Sequence, residues 1–325
     1  MTDKKIIAVV GATGSQGGGL VRAVLDDWDG PFAVRALTRD PGSDRAKELA
    51  ARGADVVRAD LDDEASLAAA FDGAYGAFVV TNFWERRTPE QDAARSRARM
   101  ELEHADNAAR AAEAAGIRHV VWSTLEDTRP VFEFLGSEPP TIAGYKVPHF
   151  DAKHEANAVF TARRVPTTFL ETSFFYEMFV DAGLSPHRAE DGVAALTLPM
   201  GDSVMALVAA EDIGRTAYGI FRAGARFVGR TVGLAGTHGT GEELARLFAK
   251  VLGEPVEYRP MTHDQMRGAG FPEAEELGNM FQFFTEAAGT FVPHRDLDLV
   301  RTLNPRLRTL EDWLIEHREQ LASAL

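Results

Sequence analysis

The chain carries the sequence Gly11-Ala12-Thr13-Gly14-Ser15-Gln16-Gly17-Gly18 directly after an apolar run, Ile6 to Val10. A continuous apolar run of this length is typical of a strand that is buried on both faces of a parallel sheet. The glycines then open a helix, whose free N–H groups and dipole favour an anion. A side chain at Gly11 or Gly14 would block that anion, and Gly17 lets the helix pack closely on the strand. The turn, with its G-x-x-G-x-x-G spacing, therefore predicts a site for the pyrophosphate of a dinucleotide.

Short apolar runs and helical patterns alternate through the first half of the chain. The apolar runs are predicted strands, and they lie at residues 6–10, 32–37, 56–57, 77–80, 119–123 and 167–170. Between them we expect helices, including one long helix from Pro89 to Ala115 that Gly116 ends. This alternation is typical of βαβ units and predicts an α/β fold with a Rossmann, doubly wound parallel sheet.

The second half has a less regular pattern. Segments rich in Gly and Pro occur at 181–199 and 222–241, and a smaller mixed α/β lobe is predicted after them. We therefore expect two units. The Rossmann domain comprises residues 1–172, with 203–236 returning to it, and the C-terminal lobe comprises 173–202 and 237–325.

The composition excludes several classes of function. The 325 residues include 35 Lys and Arg, 49 Asp and Glu, and no Cys, so the formal net charge is −14. A nucleic-acid-binding surface is basic, so we expect no direct contact with nucleic acid, and an anionic membrane is an equally poor partner. Without Cys there is no disulfide, no thiolate nucleophile and no Cys-ligated zinc. The His residues lack metal-ligand spacing, so no metal site is predicted.

The N-terminal segment weakly imitates a secretory signal, because Lys4 and Lys5 precede the first apolar run. That run is too short for a signal peptide, and Gly11 and Gly14 interrupt it. No stretch of the sequence approaches the length of a membrane span. We interpret the segment as a buried strand and expect a cytoplasmic protein.

The end of the second predicted strand indicates which dinucleotide is bound. Arg39 comes first there and Asp40 follows it. An Arg suits the 2′-phosphate of NADP, whereas an acidic residue suits the 2′-hydroxyl of NAD. We therefore expect NADP(H) in preference to NAD(H); the alternative is that Arg39 only pairs with a surface carboxylate.

Asp60 and Leu61 are placed to border the adenine, although Asp60 could instead cap the next helix.

Several motifs together resemble the NmrA-like family, and the likeness extends over nearly the whole chain. They are the glycine turn, Thr38-Arg39, Val80-Thr81-Asn82-Phe83-Trp84-Glu85, Pro148-His149-Phe150-Asp151-x-Lys153, Gly270-Phe271-Pro272, Asn279-Met280-Phe281 and Leu303-Asn304-Pro305 through Trp313-Leu314. The likeness is to the HSCARG-type subgroup of NADPH sensors. It implies an atypical short-chain dehydrogenase/reductase fold with a Rossmann domain and a smaller C-terminal lobe.

The resemblance also implies roles for individual residues. Ser123 would lie near the nicotinamide and Lys153 would bond its ribose. The remaining cofactor contacts that it implies are Gly11, Thr13, Gly14, Ser15, Gln16 and Gly17 at the pyrophosphate, Arg39 at the 2′-phosphate, Thr81, Asn82 and Phe83 along the cofactor, and Phe174, Phe175 and Tyr176 at the nicotinamide pocket.

The prediction of a catalytic residue depends on position 149, where the usual tyrosine is missing. An ordinary short-chain dehydrogenase carries Tyr four residues before Lys, so that both lie on one helix face and the Lys charge activates the phenol. Here Lys153 is present, but position 149 is His. Three hypotheses follow: the site is silent and Lys153 only binds ribose, His149 transfers the proton, or Lys153 or Tyr176 does so.

Two further sets of side chains admit alternatives. Glu101-x-x-His104 imitates half of a carboxylate di-iron motif, but no second copy exists, so we interpret it as a solvated helix surface. Phe281, Phe283 and Phe284 are predicted to form the core of the lobe, and the alternative is a cleft for a planar apolar substrate.

The sequence therefore supports three hypotheses about function. The first is an NADP(H)-binding redox sensor, in which cofactor shifts conformation, partner choice or homodimer formation by its differential affinity for two states. The second is an NADPH-dependent reductase of a quinone, enone or similar apolar carbonyl. The third is a transcriptional co-regulator that acts only through contact with a protein partner.

Overall fold

The computed structural model describes residues 4–325. Within this range the chain forms thirteen strands: β1 (Lys5–Val9), β2 (Phe32–Thr38), β3 (Asp55–Arg58), β4 (Gly76–Val79), β5 (His119–Thr124), β6 (Thr167–Glu171), β7 (Phe174–Phe175), β8 (His187–Arg188), β9 (Ala194–Leu196), β10 (Val204–Val208), β11 (Thr231–Gly233), β12 (Thr237–Thr240) and β13 (Val256–Tyr258).

The same residues form sixteen α-helices and a short 3-10 helix at Gly224–Phe227. The α-helices are α1 (Ser15–Asp26), α2 (Asp44–Ala51), α3 (Glu64–Phe71), α4 (Pro89–Ala94), α5 (Arg97–Ala114), α6 (Arg129–Leu135), α7 (Pro148–Ala162), α8 (Met178–Asp181), α9 (Ala210–Ala223), α10 (Gly241–Leu252), α11 (His263–Arg267), α12 (Ala274–Glu286), α13 (Ala288–Phe291), α14 (Leu297–Leu303), α15 (Leu310–Glu316) and α16 (Arg318–Ala324).

A seven-stranded parallel sheet forms the centre of the molecule, in the order β3-β2-β1-β4-β5-β6-β11. The sheet confirms the predicted Rossmann fold. The strand order reverses between β1 and β4, and ligands of such sheets bind in the crevice outside the carboxyl ends at this switch point. The glycine turn lies directly after β1, so the fold places it at that crevice.

Helices cover both faces of this sheet. One core cluster includes buried side chains of α1, α9 and α14, such as Leu20, Ile213 and Val300. The cluster on the other face includes Leu67 of α3, Phe160 of α7 and five buried alanines of α5. Because both faces are covered, the strands read as continuous apolar runs rather than as alternating patterns.

The C-terminal lobe has two three-stranded sheets, β12-β10-β7 and β13-β9-β8, and its own apolar core. Phe281, Phe283 and Phe284 of α12 are all buried in that core, so they do not line an open cleft. Within the predicted returning segment 203–236, α9 packs on α1 and β11 extends the large sheet, whereas β10 pairs in a small sheet.

The single helix predicted from Pro89 to Ala115 is wrong. The structure has two helices, α4 and α5, because Arg95 is extended with φ −148° and ψ 110°. Ser96 then caps α5, since its hydroxyl accepts a hydrogen bond from the Arg99 N–H at 3.3 Å. Among the helices of the described range, none is long and apolar enough to cross a membrane.

Candidate dinucleotide site

The glycine turn forms a cradle at the N-terminus of α1. Gly11 has a φ of +66°, a conformation that side chains disfavour. A Cβ on Gly17 would lie 2.4 Å from the Gly11 carbonyl oxygen, so only glycine permits this approach. Gly14 and Ser15 are exposed, and no side chain of the described residues caps α1 at Gly14. The turn therefore fits an anion such as a pyrophosphate, which the free N–H groups of the helix would bind.

Gln16 connects this turn to the next part of the crevice. The Ser123 hydroxyl, at the end of β5, donates to Gln16 Oε1 at 2.7 Å. On the opposite side, the Arg45 guanidinium donates to the Thr13 carbonyl oxygen at 3.4 Å. Arg45 is not among the residues predicted from the sequence, although its place at the start of α2 puts a cation beside the predicted phosphate site.

Arg39 and Asp40 have different environments at the end of β2. The Arg39 side chain is 69% exposed, and its ion pair is with Glu85 at 3.2 Å. Such a surface pair contributes little, so a phosphate can replace it at small cost. The Asp40 carboxylate instead accepts the Gly42 N–H at 2.9 Å and stabilises the turn after the strand. Arg39 is thus the freer of the two to meet a ligand.

Asp60 and Leu61 follow β3, at the end of the crevice where the sequence predicts the adenine. Asp60 Oδ1 accepts the Asp62 N–H at 3.1 Å. The cap of α3 is Asp63, whose carboxylate accepts the Ser66 N–H at 3.1 Å, so Asp60 does not have the capping role that was its alternative. The Leu61 carbonyl oxygen accepts a hydrogen bond from Asn107.

Lys153 lies in a compact polar cluster between α7, β4 and α5. Its ammonium donates to Thr81 Oγ1 and to Glu101 Oε1, each at 2.6 Å, and lies 5.3 Å from the centre of the Trp122 ring. Thr81 Oγ1 also bonds Glu101 directly. Glu101 is fully buried, and its Oε2 has no hydrogen-bond partner within residues 4–325. This cluster fixes the position of Lys153 beside the crevice.

The predicted solvated surface for Glu101 and His104 is wrong. Both side chains are buried, and His104 Nε2 lies 3.1 Å from Asp62 Oδ1. Glu101 shares its helix face with Ala105 and Ala108, which pack under the sheet. That spacing on α5 is the sequence signal that could have placed the carboxylate in the interior.

His149 lies one turn before Lys153 on α7 and forms a pair with Glu276 of α12. Its Nδ1 is 2.5 Å from Glu276 Oε1, and its backbone N–H donates to the same oxygen at 2.8 Å. The ring contacts Phe83 and Trp84, with a distance of 5.1 Å between the Trp84 and His149 centroids. Nε2 has no hydrogen bond among the described residues and is not enclosed by them. The arrangement leaves one ring nitrogen free to exchange a proton.

The remaining predicted cofactor contacts have mixed surroundings. Asn82 is exposed, and its Oδ1 accepts the Trp84 N–H at 3.2 Å, whereas Phe83 is buried. Phe174 packs in the core of the lobe with its ring 5.7 Å from that of Phe281. Phe175 is half-buried against the core beneath the large sheet.

Tyr176 is fully buried in the C-terminal lobe. Its hydroxyl donates to Thr237 Oγ1 at 2.8 Å, and burial raises the pKa of the phenol. The hydroxyl makes no hydrogen bond to Ser123 or Lys153 in the described part of the chain. The structure does not bring Tyr176 together with the other candidate catalytic groups, and this geometry disfavours it as a proton donor.

A second charged cluster lies at the carboxyl ends of β5 and β6. Glu171 is 2.9 Å from His294, and hydrogen bonding to Glu171 raises the pKa of the imidazole. Burial raises the pKa of Glu126, against the attraction of Arg295 at 2.6 Å. Within residues 4–325, Glu126, Glu171 and His294 are the one group with metal-like spacing. Arg295, which is fully buried, already supplies a positive charge to these carboxylates.

Comparison with known proteins identifies the family. The model of the NmrA-like family matches residues 3–314. The chain belongs to the NmrA-like family. The NmrA-like family domain-containing oxidoreductase FrzB of a Cladobotryum species is 31% identical over 303 residues, which cover 88% of this chain and 85% of FrzB.

Solved structures share the fold at lower identity. The negative transcriptional regulator NmrA superposes with a TM-score of 0.75 at 22% identity, covering 99% of each chain, and it has been solved in complex with NADP and with NAD. The NADPH-dependent quinone oxidoreductase QOR2 of Escherichia coli, solved with NADPH, gives a TM-score of 0.69 at 22% identity, covering 96% of this chain and 99% of QOR2. These likenesses establish the fold of this NmrA-like chain, and both proteins bind nicotinamide dinucleotides.

Proposed function

We propose that this chain is an NADPH-dependent reductase of planar apolar carbonyl compounds, such as quinones or enones. The observation that carries the proposal is the His149 ring, held by Glu276 with Nε2 free, one turn before Lys153 on α7. The pair occupies the helix positions that Tyr and Lys take in ordinary short-chain dehydrogenases. The oxidoreductase relative FrzB is consistent with this assignment.

The residues that would hold the dinucleotide surround the crevice. The turn from Gly11 to Gly17 would bind the pyrophosphate through main-chain N–H groups, and Arg39, supported by Arg45, would bind the 2′-phosphate. The other contacts that we propose are Asp60 and Leu61 at the adenine, Thr81, Asn82 and Phe83 along the cofactor, Ser123 and Lys153 at the nicotinamide riboside, and the half-buried Phe175 at the pocket wall.

The side chains supply the proton chemistry of the reduction. Bound NADPH would supply a hydride to the carbonyl carbon of the substrate. In its protonated form the His149 ring donates the Nε2 proton to the carbonyl oxygen, so that the carbonyl becomes an alcohol, and it keeps the Nδ1 proton beside Glu276; Nε2 then regains a proton from solvent. The Lys153 ammonium, one turn after His149 on α7, would attract the developing oxyanion. Trp84, which is 39% exposed and packs on His149, offers a flat apolar surface to the substrate.

Steady-state consumption of NADPH with a panel of quinones and enones tests the proposal. We expect turnover by the wild-type chain and a loss of about 100-fold in kcat for His149→Asn, which cannot transfer the proton. His187→Asn, at an exposed His of the lobe, is the matched control and should leave kcat unchanged. Absence of turnover with every member of the panel would contradict the reductase.

The preference for NADP(H) has its own test. Arg39→Ala removes a charge-assisted contact to the 2′-phosphate, so we expect the Kd for NADPH to rise about 10-fold while the Kd for NADH stays the same. Isothermal titration calorimetry measures both values. The control is Arg52→Ala at the far end of α2, which removes only a surface pair between Arg52 and Asp26. Equal changes for the two dinucleotides would refute the role of Arg39.

Redox sensing of the HSCARG type is the second candidate, and it is favoured by His at position 149 where the usual Tyr is missing. In that case NADPH binding changes the oligomeric state or the affinity for a protein partner without turnover. A change in sedimentation on adding NADPH, together with no consumption of NADPH, would select the sensor. A co-regulator that acts by contact alone would bind its partner equally well with and without nucleotide. All three roles fit the predicted cytoplasmic location.

A further inference from the structure

We propose that Glu276, in the C-terminal lobe, is the positioning residue for His149, so that the lobe completes the proton-donating group of the Rossmann domain. This inference rests on the proposed reductase and adds to it a residue that lies 127 positions away in the sequence.

The Glu276 carboxylate holds His149 at two points. Its Oε1 accepts from the backbone N–H of His149 at 2.8 Å and lies 2.5 Å from Nδ1. Both side chains are about nine-tenths buried, with 8% of each residue exposed. A carboxylate at Nδ1 keeps the proton of the neutral ring on that nitrogen, and it stabilises the imidazolium when the ring is charged.

Helix α12 is itself fixed against the segment that leads into α7. Asn279, one turn after Glu276, is fully buried and donates to the carbonyl oxygens of Pro140 at 2.8 Å and Lys146 at 2.7 Å. The side-chain oxygen of Asn279 accepts from Arg267 Nε at 2.8 Å. Because these bonds fix the helix, they also fix the Glu276 carboxylate relative to His149.

The opposite edge of the imidazole is not enclosed by the residues that the structure describes. Nε2 is free of hydrogen bonds to the described residues, and Trp84 and Phe83 hold the ring plane. In this arrangement a buried carboxylate binds one ring nitrogen and the other nitrogen is free. A histidine held in this way has the geometry of a proton donor. If Glu276 served only to hold α12 against α7, its bond to the backbone N–H of His149 would be enough. The second contact, with Nδ1 of the ring, indicates that the carboxylate also positions the imidazole.

Nitrogen-15 NMR of His-labelled protein measures the predicted effect directly. In the wild-type chain we expect the neutral His149 ring to carry its proton on Nδ1, with the signal assigned by its loss in His149→Asn. In Glu276→Ala we expect the proton to move to Nε2, because the acceptor is gone. Glu276→Gln keeps an acceptor oxygen for both N–H groups, so it should fold normally and retain the proton on Nδ1. Glu275→Ala, at the exposed neighbouring residue, is the control.

Kinetics and binding separate positioning from a merely structural role. We expect kcat for the carbonyl substrate to fall about 10- to 100-fold in Glu276→Ala and to be largely restored in Glu276→Gln. KM for the carbonyl compound and the Kd for NADPH should stay within about twofold, because Glu276 acts through His149. An unchanged tautomer in Glu276→Ala, or a loss confined to KM and Kd, would overturn the proposal. If the wild-type chain has no turnover, the proposed reductase activity is contradicted. The tautomer measurement alone still decides whether Glu276 positions the His149 ring.

Discussion

At the scale of single residues, the buried Lys153–Glu101 pair gives a prediction for stability. Glu101 is fully buried, and its attraction to Lys153 compensates for the loss of water around the carboxylate. Lys153→Met removes that compensation and leaves a buried charge alone. We expect the free energy of unfolding in urea to fall by about 3 kcal/mol.

A second substitution tests whether the loss comes from the orphaned carboxylate. Adding Glu101→Gln to Lys153→Met replaces the charge by a neutral group of the same shape and should restore most of the stability. Lys250→Met breaks an exposed pair with Glu311, so we expect a change of less than about 1 kcal/mol there. Equal stability of Lys153→Met and the wild-type chain would show that Glu101 does not depend on Lys153.

The sequence predicts some of these residues but not their partners. The spacing from His149 to Lys153 identified two neighbouring groups on one helix face. Glu276 could not be identified, because only the packing of α12 against α7 brings it to His149. Glu101 was placed on a surface, since its charge suggested solvent while its alanine neighbours belong to a buried face.

At the scale of secondary-structure elements, the first turn of α1 depends on the absence of a side chain at Gly17. A Cβ there would lie 2.4 Å from the Gly11 carbonyl oxygen and 2.8 Å from that of Val10, and both are backbone atoms. Gly17→Ala must therefore displace the turn. We expect the chain to fold with a lower melting temperature and to lose measurable binding of NADPH in calorimetry.

A matched glycine substitution separates this effect from the general effect of alanine in a helix. Gly289 lies in α13, and a Cβ added to it would meet no atom within 4 Å. Gly289→Ala should therefore preserve NADPH binding and leave the melting temperature unchanged or slightly higher. NADPH binding by Gly17→Ala at the wild-type affinity would show that the turn is not the pyrophosphate site.

The elements of the large sheet were predictable for a physical reason. Strands buried on both faces give continuous apolar runs, and the helices between them give a distinct periodicity. The lobe strands β7 and β8 have two residues each, too few to show any period. The break between α4 and α5 was missed, because the Ala-rich composition favours helix and the Ser96 cap is a single local contact.

At the scale of the whole molecule, buried His119 links folding to pH. It lies on β5 within the central sheet, with 1% of its surface exposed and Nε2 at 2.8 Å from Thr168 Oγ1. Burial lowers the pKa of its imidazole to about 4. The unfolded chain, with an ordinary pKa of about 6.5, therefore binds a proton more readily than the folded one.

This difference predicts that the protein loses stability as the pH falls from about 6.5 toward 4, because protonation then favours the unfolded chain. The contribution of His119 over that range is roughly 3 kcal/mol. His119→Gln keeps a polar group of similar size but does not titrate, so its free energy of unfolding in urea should fall less steeply over pH 6.5 to 5. His187→Gln, at an exposed His, should follow the wild-type slope. If His119→Gln also follows that slope, the acid sensitivity of the molecule originates in other groups, and the central sheet does not carry it.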